Sequence, residues 1–167
     1  KMGEKYYMKV YKKILNGKAA LQSIDLNDIV SPITDEQRTE LQKTLVEIYK
    51  DILSLCQDNG LTPYLVGGSA LGAIRHKGFI PWDDDLDIGM FRDDYEKFIT
   101  LFGNKFTDKY VISTPGGKGK SKTRFTKVIK KNTIFKELMT TQDNELNGIF
   151  IDVFPIDGEP DNYNVFM

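Results

Sequence analysis

The stretch "YLVGGSALGAIRHKGFIPWDDDLDIGM", residues 64–90, decides how the chain is read. An apolar strand, Tyr64 to Val66, stops at Gly67-Gly68-Ser69, and Ser69 to Arg75 has the makings of a short helix. A loop from Lys77 to Trp82 then leads into a second strand, expected at Asp85 to Met90. A strand, a glycine turn and a helix in that order aim bare backbone N–H groups at whatever sits there, and the helix dipole favours an anion. Taken alone, the motif is equally well a plain glycine turn.

Four of the five residues 83–87 are aspartate. Alternation along a strand puts Asp83, Asp85 and Asp87 on one side and Leu86 and Ile88 on the other, with Asp84 expected to face away. Carboxylates about 5 Å apart repel by roughly 3 kcal/mol per pair at an effective dielectric near 20. On an exposed acidic loop, water and salt screen that cost. On one face of a strand the crowding points to a hard divalent cation, Mg2+ or Mn2+, which prefers one or two carboxylates together with phosphate oxygens. A phosphate cradle followed by an Asp-x-Asp strand makes one coherent site.

Three other ligand motifs fail. Asp83, Asp85, Asp87 and Asp94 fall at positions 1, 3, 5 and 12 of a calcium loop, but Ile88 stands where that loop needs Gly, and no helix precedes it. Gly119-Lys120-Ser121 ends like a P-loop, yet Thr114 occupies the place of its first Gly. Gly67 to Gly72 lacks the spacing of a dinucleotide fingerprint.

Upstream, Thr34-Asp35-Glu36-Gln37 has the form of a capping box; Leu41, Leu45, Ile48, Ile52 and Leu55 follow at helical spacing, and Gly60 supplies a stop. Residues 5 to 16 are read as a short helix and 17 to 33 as an irregular lead-in. Downstream, Asp93 and Glu96 open a helix with Tyr95, Phe98, Ile99 and Phe102 as its apolar stripe. Tyr110 to Ser113, Arg124 to Ile129 and Ile149 to Phe154 are expected strands, and Pro115 to Lys122 a flexible basic loop.

With 167 residues, 40% hydrophobic and 28% charged, the sequence is that of one globular domain with its own core. A net charge of -1 gives no general pull toward nucleic acid, which is not an expected partner. Cys56 is the only cysteine, which excludes an intramolecular disulfide and suits a cytoplasmic setting. No apolar run nears the roughly 20 residues that span a bilayer, so no transmembrane segment is expected; peripheral contact at the inner face of a membrane stays open. The start at Lys1-Met2-Gly3 and the stop at Phe166-Met167 read as the ends of a piece of a longer protein.

From Gly67 through Met90 the sequence resembles the signature of the LicD family, within the nucleotidyltransferase-fold superfamily. A looser similarity runs from about Leu41 to Gly158, through Arg92-Asp93-Asp94-Tyr95-Glu96, then Phe125 to Thr133, then Ile151-Asp152-Val153-Phe154-Pro155-Ile156-Asp157. Residues 1–33 read as a partly helical lead-in, and 34–167 as a LicD-type domain shortened at its C-terminus. The resemblance implies an α+β fold, a nucleotidyltransferase-like mixed β-sheet flanked by helices. In it Gly67, Gly68 and Ser69, with Asp85 and Asp87, hold a metal-bound nucleotide, and Asp152 stands at the third carboxylate position. The residues themselves describe Asp152 as an acid in an apolar strand beside Phe150 and Phe154, either a metal ligand or a shifted general base.

The implied activity is metal-dependent transfer of phosphocholine from CDP-choline, or of a related CDP-alcohol's phospho-alcohol group, to a sugar hydroxyl. The acceptor would be a cell-surface glycan, such as lipopolysaccharide or teichoic acid, or its lipid-linked precursor. Asp85, Asp87 and Asp83 are the expected ligands of Mg2+ or Mn2+. Arg75 would clamp a phosphate oxygen, and His76, the only histidine, would donate to phosphate or orient an aspartate. Lys127 and Arg124 would reach the leaving nucleotide's phosphate or stand as exposed strand cations, and Trp82 is expected to pack under the acidic loop. Two rival readings are a nucleotidyltransferase that releases pyrophosphate and a non-catalytic nucleotide-binding module.

Overall fold

The computed structural model describes residues 8–9, 33–116, 124–137 and 147–158. The first long element is α1 (Asp35–Asn59). Its start is fixed by a reciprocal cap: the Thr34 hydroxyl accepts from the Gln37 N–H at 3.2 Å, and the Gln37 side chain accepts from the Thr34 N–H at 2.9 Å. Asp35 and Glu36 in the first turn oppose the dipole, and Gly60 ends the helix with φ 67°, a left-handed conformation that favours glycine. Leu41, Leu45, Ile48, Ile52 and Leu55 form its buried stripe.

A short strand β2 (Tyr64–Leu65) leads into α2 (Gly67–Arg75), which begins two residues earlier than its sequence suggests because the Val66 carbonyl already accepts from the Ala70 N–H at 3.3 Å. Strand β3 (Asp87–Phe91) runs directly into α3 (Arg92–Lys105), which buries Tyr95, Phe98 and Phe102. Then follow β4 (Tyr110–Ser113), β5 (Thr126–Lys130), β6 (Lys136–Glu137) and β7 (Phe150–Ile156).

Five strands form one sheet in the order β2-β3-β7-β5-β4; β3 and β7 pair in parallel and the other neighbours are antiparallel. This mixed sheet with its helices is the expected α+β fold. Period-two alternation separates its faces. Ile88, Met90, Ile151, Val153, Thr126 and Val128 point to one side and are fully buried there, or nearly so. Both α1 and α3 lie on that side: the Tyr110 hydroxyl donates to Asp51 of α1 at 2.8 Å, and the Tyr95 hydroxyl of α3 pairs with Thr126 at 2.7 Å. The opposite face carries Asp87, Asp152 and Lys127.

Two expectations are corrected here. Of the helix expected over residues 5 to 16, the structure describes only β1 (Met8–Lys9), which is extended and pairs in parallel with β6. Its partner lies far along the chain, so no local periodicity announces it. The strand expected from Asp85 begins at Asp87 instead, leaving Asp83 to Leu86 outside any regular element. Most of the basic loop at Pro115 to Lys122 lies outside the described residues.

Candidate functional site

Register assembles the site. Asp87 of β3 stands opposite Asp152 of β7, and Asp152 stands opposite Lys127 of β5, so three charged side chains from three adjacent strands share one face. The Lys127 Nζ lies 3.1 Å from Asp152 Oδ1, with the two side chains only 7% and 15% exposed. The ammonium also sits over the Phe150 ring, 3.3 Å from its centroid. An ammonium over an aromatic face, paired with a carboxylate, is held in place by two attractions at once. Lys127 is therefore a buried cation, not an exposed one. Beyond Asp152, Phe154 stacks with Phe125 at 4.5 Å between ring centroids.

The first turn of α2 faces this row. Gly67 adopts φ +55°, and a Cβ there would meet Asp87 Oδ2 at 3.6 Å; at Gly68 a Cβ would meet Asp83 Oδ2 at 3.0 Å. Glycine thus lets the helix start take a left-handed residue at 67 and approach the Asp83 carboxylate closely at 68. The Ser69 hydroxyl accepts the Asp87 N–H at 2.8 Å, which ties α2 to the first residue of β3. Val66 at the N-cap brings no side-chain hydrogen bond to the first-turn amides. They are the kind of N–H groups that take an anion.

Between α2 and β3, Asp83, Asp84 and Asp85 each offer a carboxylate oxygen, all within 4.8 Å of one another. Asp84 thus joins its neighbours and does not face away. The alternation expected of it presupposes a strand, and the strand begins only at Asp87. The donor set, oxygen throughout and rich in carboxylates, fits a hard divalent cation.

Other expected residues fall elsewhere. Arg75 ends α2 and His76 is its C-cap, both exposed, about six residues or roughly 9 Å of helix rise from Ser69. Arg124 is exposed just ahead of β5. Trp82 is 72% exposed, so it does not pack under the acidic loop. Burial pushes the Cys56 thiol up to about 11, which removes the only cysteine as a nucleophile at neutral pH. A separate open hollow of about 530 Å³ lies on the other side of the sheet, around Asp51, Lys109 and Lys130. Its cations Lys109 and Lys130 pair with Asp51 and Glu47, and it holds none of the site's residues.

Sequence reasoning missed Gln42, whose side-chain amide donates to the Asp83 carbonyl at 2.8 Å. The only signal was its place on the flank of the α1 apolar stripe, next to Leu41.

A glycine turn at a helix start, set beside carboxylates from two parallel strands, is the arrangement that the resemblance to the nucleotidyltransferase fold implies. Residues 60–166 match the family described as "LicD/FKTN/FKRP, nucleotidyltransferase domain", and the chain belongs to that family. It is 32% identical over 121 residues to the lipopolysaccharide cholinephosphotransferase LicD of Haemophilus influenzae, covering 72% of this chain and 44% of that protein. It is 38% identical over 52 residues to the human ribitol 5-phosphate transferase FKRP, covering 31% of this chain and 10% of that one. An uncharacterized protein of Rickettsia prowazekii is 43% identical over 51 residues, 30% of this chain and 19% of its own length. The chain thus spans less than half the length of each of these relatives.

Proposed function

We propose that this site transfers a phospho-alcohol group, phosphocholine from CDP-choline in the first instance, to a sugar hydroxyl of a cell-surface glycan or its lipid-linked precursor. The observation that carries the reading is the register that lines up Asp87, Asp152 and Lys127 beside the α2 N-terminus. Two relatives support it at the level of the transferred group, since one is named for cholinephosphate transfer and another for ribitol 5-phosphate transfer. Among the described residues no helix is long and apolar enough to cross a membrane. We place the reaction on the cytoplasmic side, the setting that suits a sequence whose single cysteine excludes an intramolecular disulfide.

Asp85 and Asp87, with Asp83, would hold Mg2+ or Mn2+, which when bound neutralises diphosphate charge and orients the donor. The chain's own groups supply the rest. The first-turn N–H groups of α2 would take a phosphate oxygen along the helix dipole. Lys127, already fixed by Asp152 and Phe150, presents positive charge without rearrangement, which is what a phosphoryl transition state needs. Asp152 would accept the proton of the acceptor hydroxyl or share the cation. Arg75 and His76, at the far end of α2, would act on a more distant part of the donor or the acceptor.

A thermal-shift panel tests the reading, using CDP-choline, CDP-ribitol, CTP, ATP and UTP, each with Mg2+ or Mn2+. A ligand at 100 times its Kd stabilises by about 2.7 kcal/mol, well within detection. Metal-dependent stabilisation by CDP-alcohols over triphosphates is the expected result. A triphosphate preference would overturn the reading in favour of nucleotidyl transfer.

A further inference from the structure

We propose that Gln42, on α1 and outside the matched residues 60–166, is a positioning residue that holds the acidic turn by its backbone. The need for such a hold follows from the turn itself. Asp83 to Leu86 belong to no helix or strand, so no ladder fixes the backbone there, and three carboxylate oxygens lie within 4.8 Å of one another. Hydrogen bonds to its backbone groups hold the segment instead. The Asp83 N–H donates to the Ile80 carbonyl at 2.9 Å, the Asp83 carbonyl accepts from Gln42 Nε2 at 2.8 Å, and the Leu86 carbonyl accepts from the Asp152 N–H at 3.3 Å. The turn is pinned at its end by the sheet and at its start by α1.

Gln42 suits this task in position and chemistry. It adjoins Leu41 and lies one turn before Leu45, both buried, so the core fixes its backbone, and its half-buried side chain has little room to wander. A neutral amide donates to the carbonyl without competing for a cation. Lys or Arg at the same place would be drawn to the carboxylates and would oppose metal binding. The acidic turn is thereby coupled to a helix that holds no expected ligand.

The test compares the wild-type chain with Gln42→Met, which keeps size but loses the donor, and Gln42→Asn, which keeps the amide but falls one methylene short. Amide hydrogen exchange at Asp83, measured without metal against Ile88 and Met90 in β3, reads the hold on the turn. Mn2+ affinity and the Mn2+ paramagnetic resonance spectrum read its effect on the site. Both variants should exchange the Asp83 amide about fivefold faster, the weight of one neutral hydrogen bond, with β3 unchanged. Mn2+ should bind about fivefold more weakly, with an altered spectrum. Wild-type exchange at Asp83 in both variants overturns the proposal, as does acceleration spread evenly over Asp83, Ile88 and Met90, which marks a merely structural role. The Mn2+ readout rests on the metal reading of the site: a wild-type chain that takes up no Mn2+ overturns that reading, while the exchange ratio still decides the role of Gln42.

Discussion

Lys127→Met removes the one charge while keeping the apolar stem, and the structure sets the size of the effect. At 3.1 Å the Lys127 and Asp152 charges attract by about 5 kcal/mol at an effective dielectric of 20. Desolvation of both groups offsets part of this, but truncating one partner of a buried pair strands the other and costs about 3–5 kcal/mol. The ammonium's contact with the Phe150 ring adds about 1 kcal/mol. Asp152 keeps 15% exposure, so water recovers some of the loss. We expect Lys127→Met to destabilise by about 3 kcal/mol, or about 6–12 °C in Tm for a chain this size. Urea unfolding of Lys127→Met, Asp152→Asn and the double variant separates the pair from its surroundings. The double variant should lose about 2 kcal/mol less than the sum of the singles. Additive losses, or a Lys127→Met loss below about 0.5 kcal/mol, would refute the claim that the pair is a buried, mutually dependent unit.

Asp87→Asn should abolish stabilisation by Mg2+ or Mn2+ in a thermal-shift titration; retained metal-dependent stabilisation would remove Asp87 from the ligand set. Gly72→Ala should destabilise by about 1–3 kcal/mol and weaken Mn2+ binding, because a Cβ would stand 2.6 Å from the Gly78 carbonyl oxygen and 3.0 Å from the Ile80 nitrogen, in the loop that leads to Asp83. Melting and metal affinity like the wild type would show that the loop yields freely. Arg92 donates to both Asp157 oxygens at 2.7 Å and holds that carboxyl below its usual range, chiefly through the hydrogen bonds. A lowered folded value means the pair stabilises above the unfolded carboxylate value near 3.9 and is lost as pH falls through the folded one. The acid limb of Tm against pH, below about pH 4, should therefore flatten in Asp157→Asn; parallel limbs would count against the clamp. Finally, emission from Trp82, the only tryptophan, should be quenched readily by acrylamide in the free protein, and a shielded indole would contradict its exposure.

Sequence legibility follows the range of the forces involved. The limits of α1 are written in Thr34, Gln37 and Gly60, because capping is local and each partner lies within four residues. Tyr110 to Ser113 is read as it stands because its Tyr-Val-Ile run carries the aromatic and β-branched residues that favour a strand. Lys127 is different: beside Thr126 and Val128 it looks like a cation on an open strand, and it becomes buried only when Phe150 and Asp152 arrive from β7. The position of Asp84 depends on where β3 begins, and that is set by pairing with β2 and β7 and not by alternation. Gln42 left almost no trace because its partner is a backbone carbonyl, which no residue type advertises. Family resemblance pointed to Asp85, Asp87 and Asp152, and only the sheet order says that Asp87 and Asp152 meet.

That order also explains why the charges stay together. A one-residue slip of β7 against β3 would bring Val153 beside Asp87 and turn Asp152 into the helix-packed face. A slip of β7 would turn its Ile151 and Val153, both wholly buried on that face, away from it, at about 1.5–3 kcal/mol each or about 3–6 kcal/mol together, and would bury Asp152 there instead. Repulsion between two neighbouring carboxylates is about 3 kcal/mol. The apolar face therefore prevails, and the register holds Asp87 against Asp152 whatever their mutual repulsion. Repulsion that is not relieved by moving the strands is lowered by a counter-charge placed beside it. Lys127 supplies one such charge from within the chain, beside Asp152. The acidic turn, held by Gln42 at its start and by the sheet at its end, is where the proposed divalent cation would add a second.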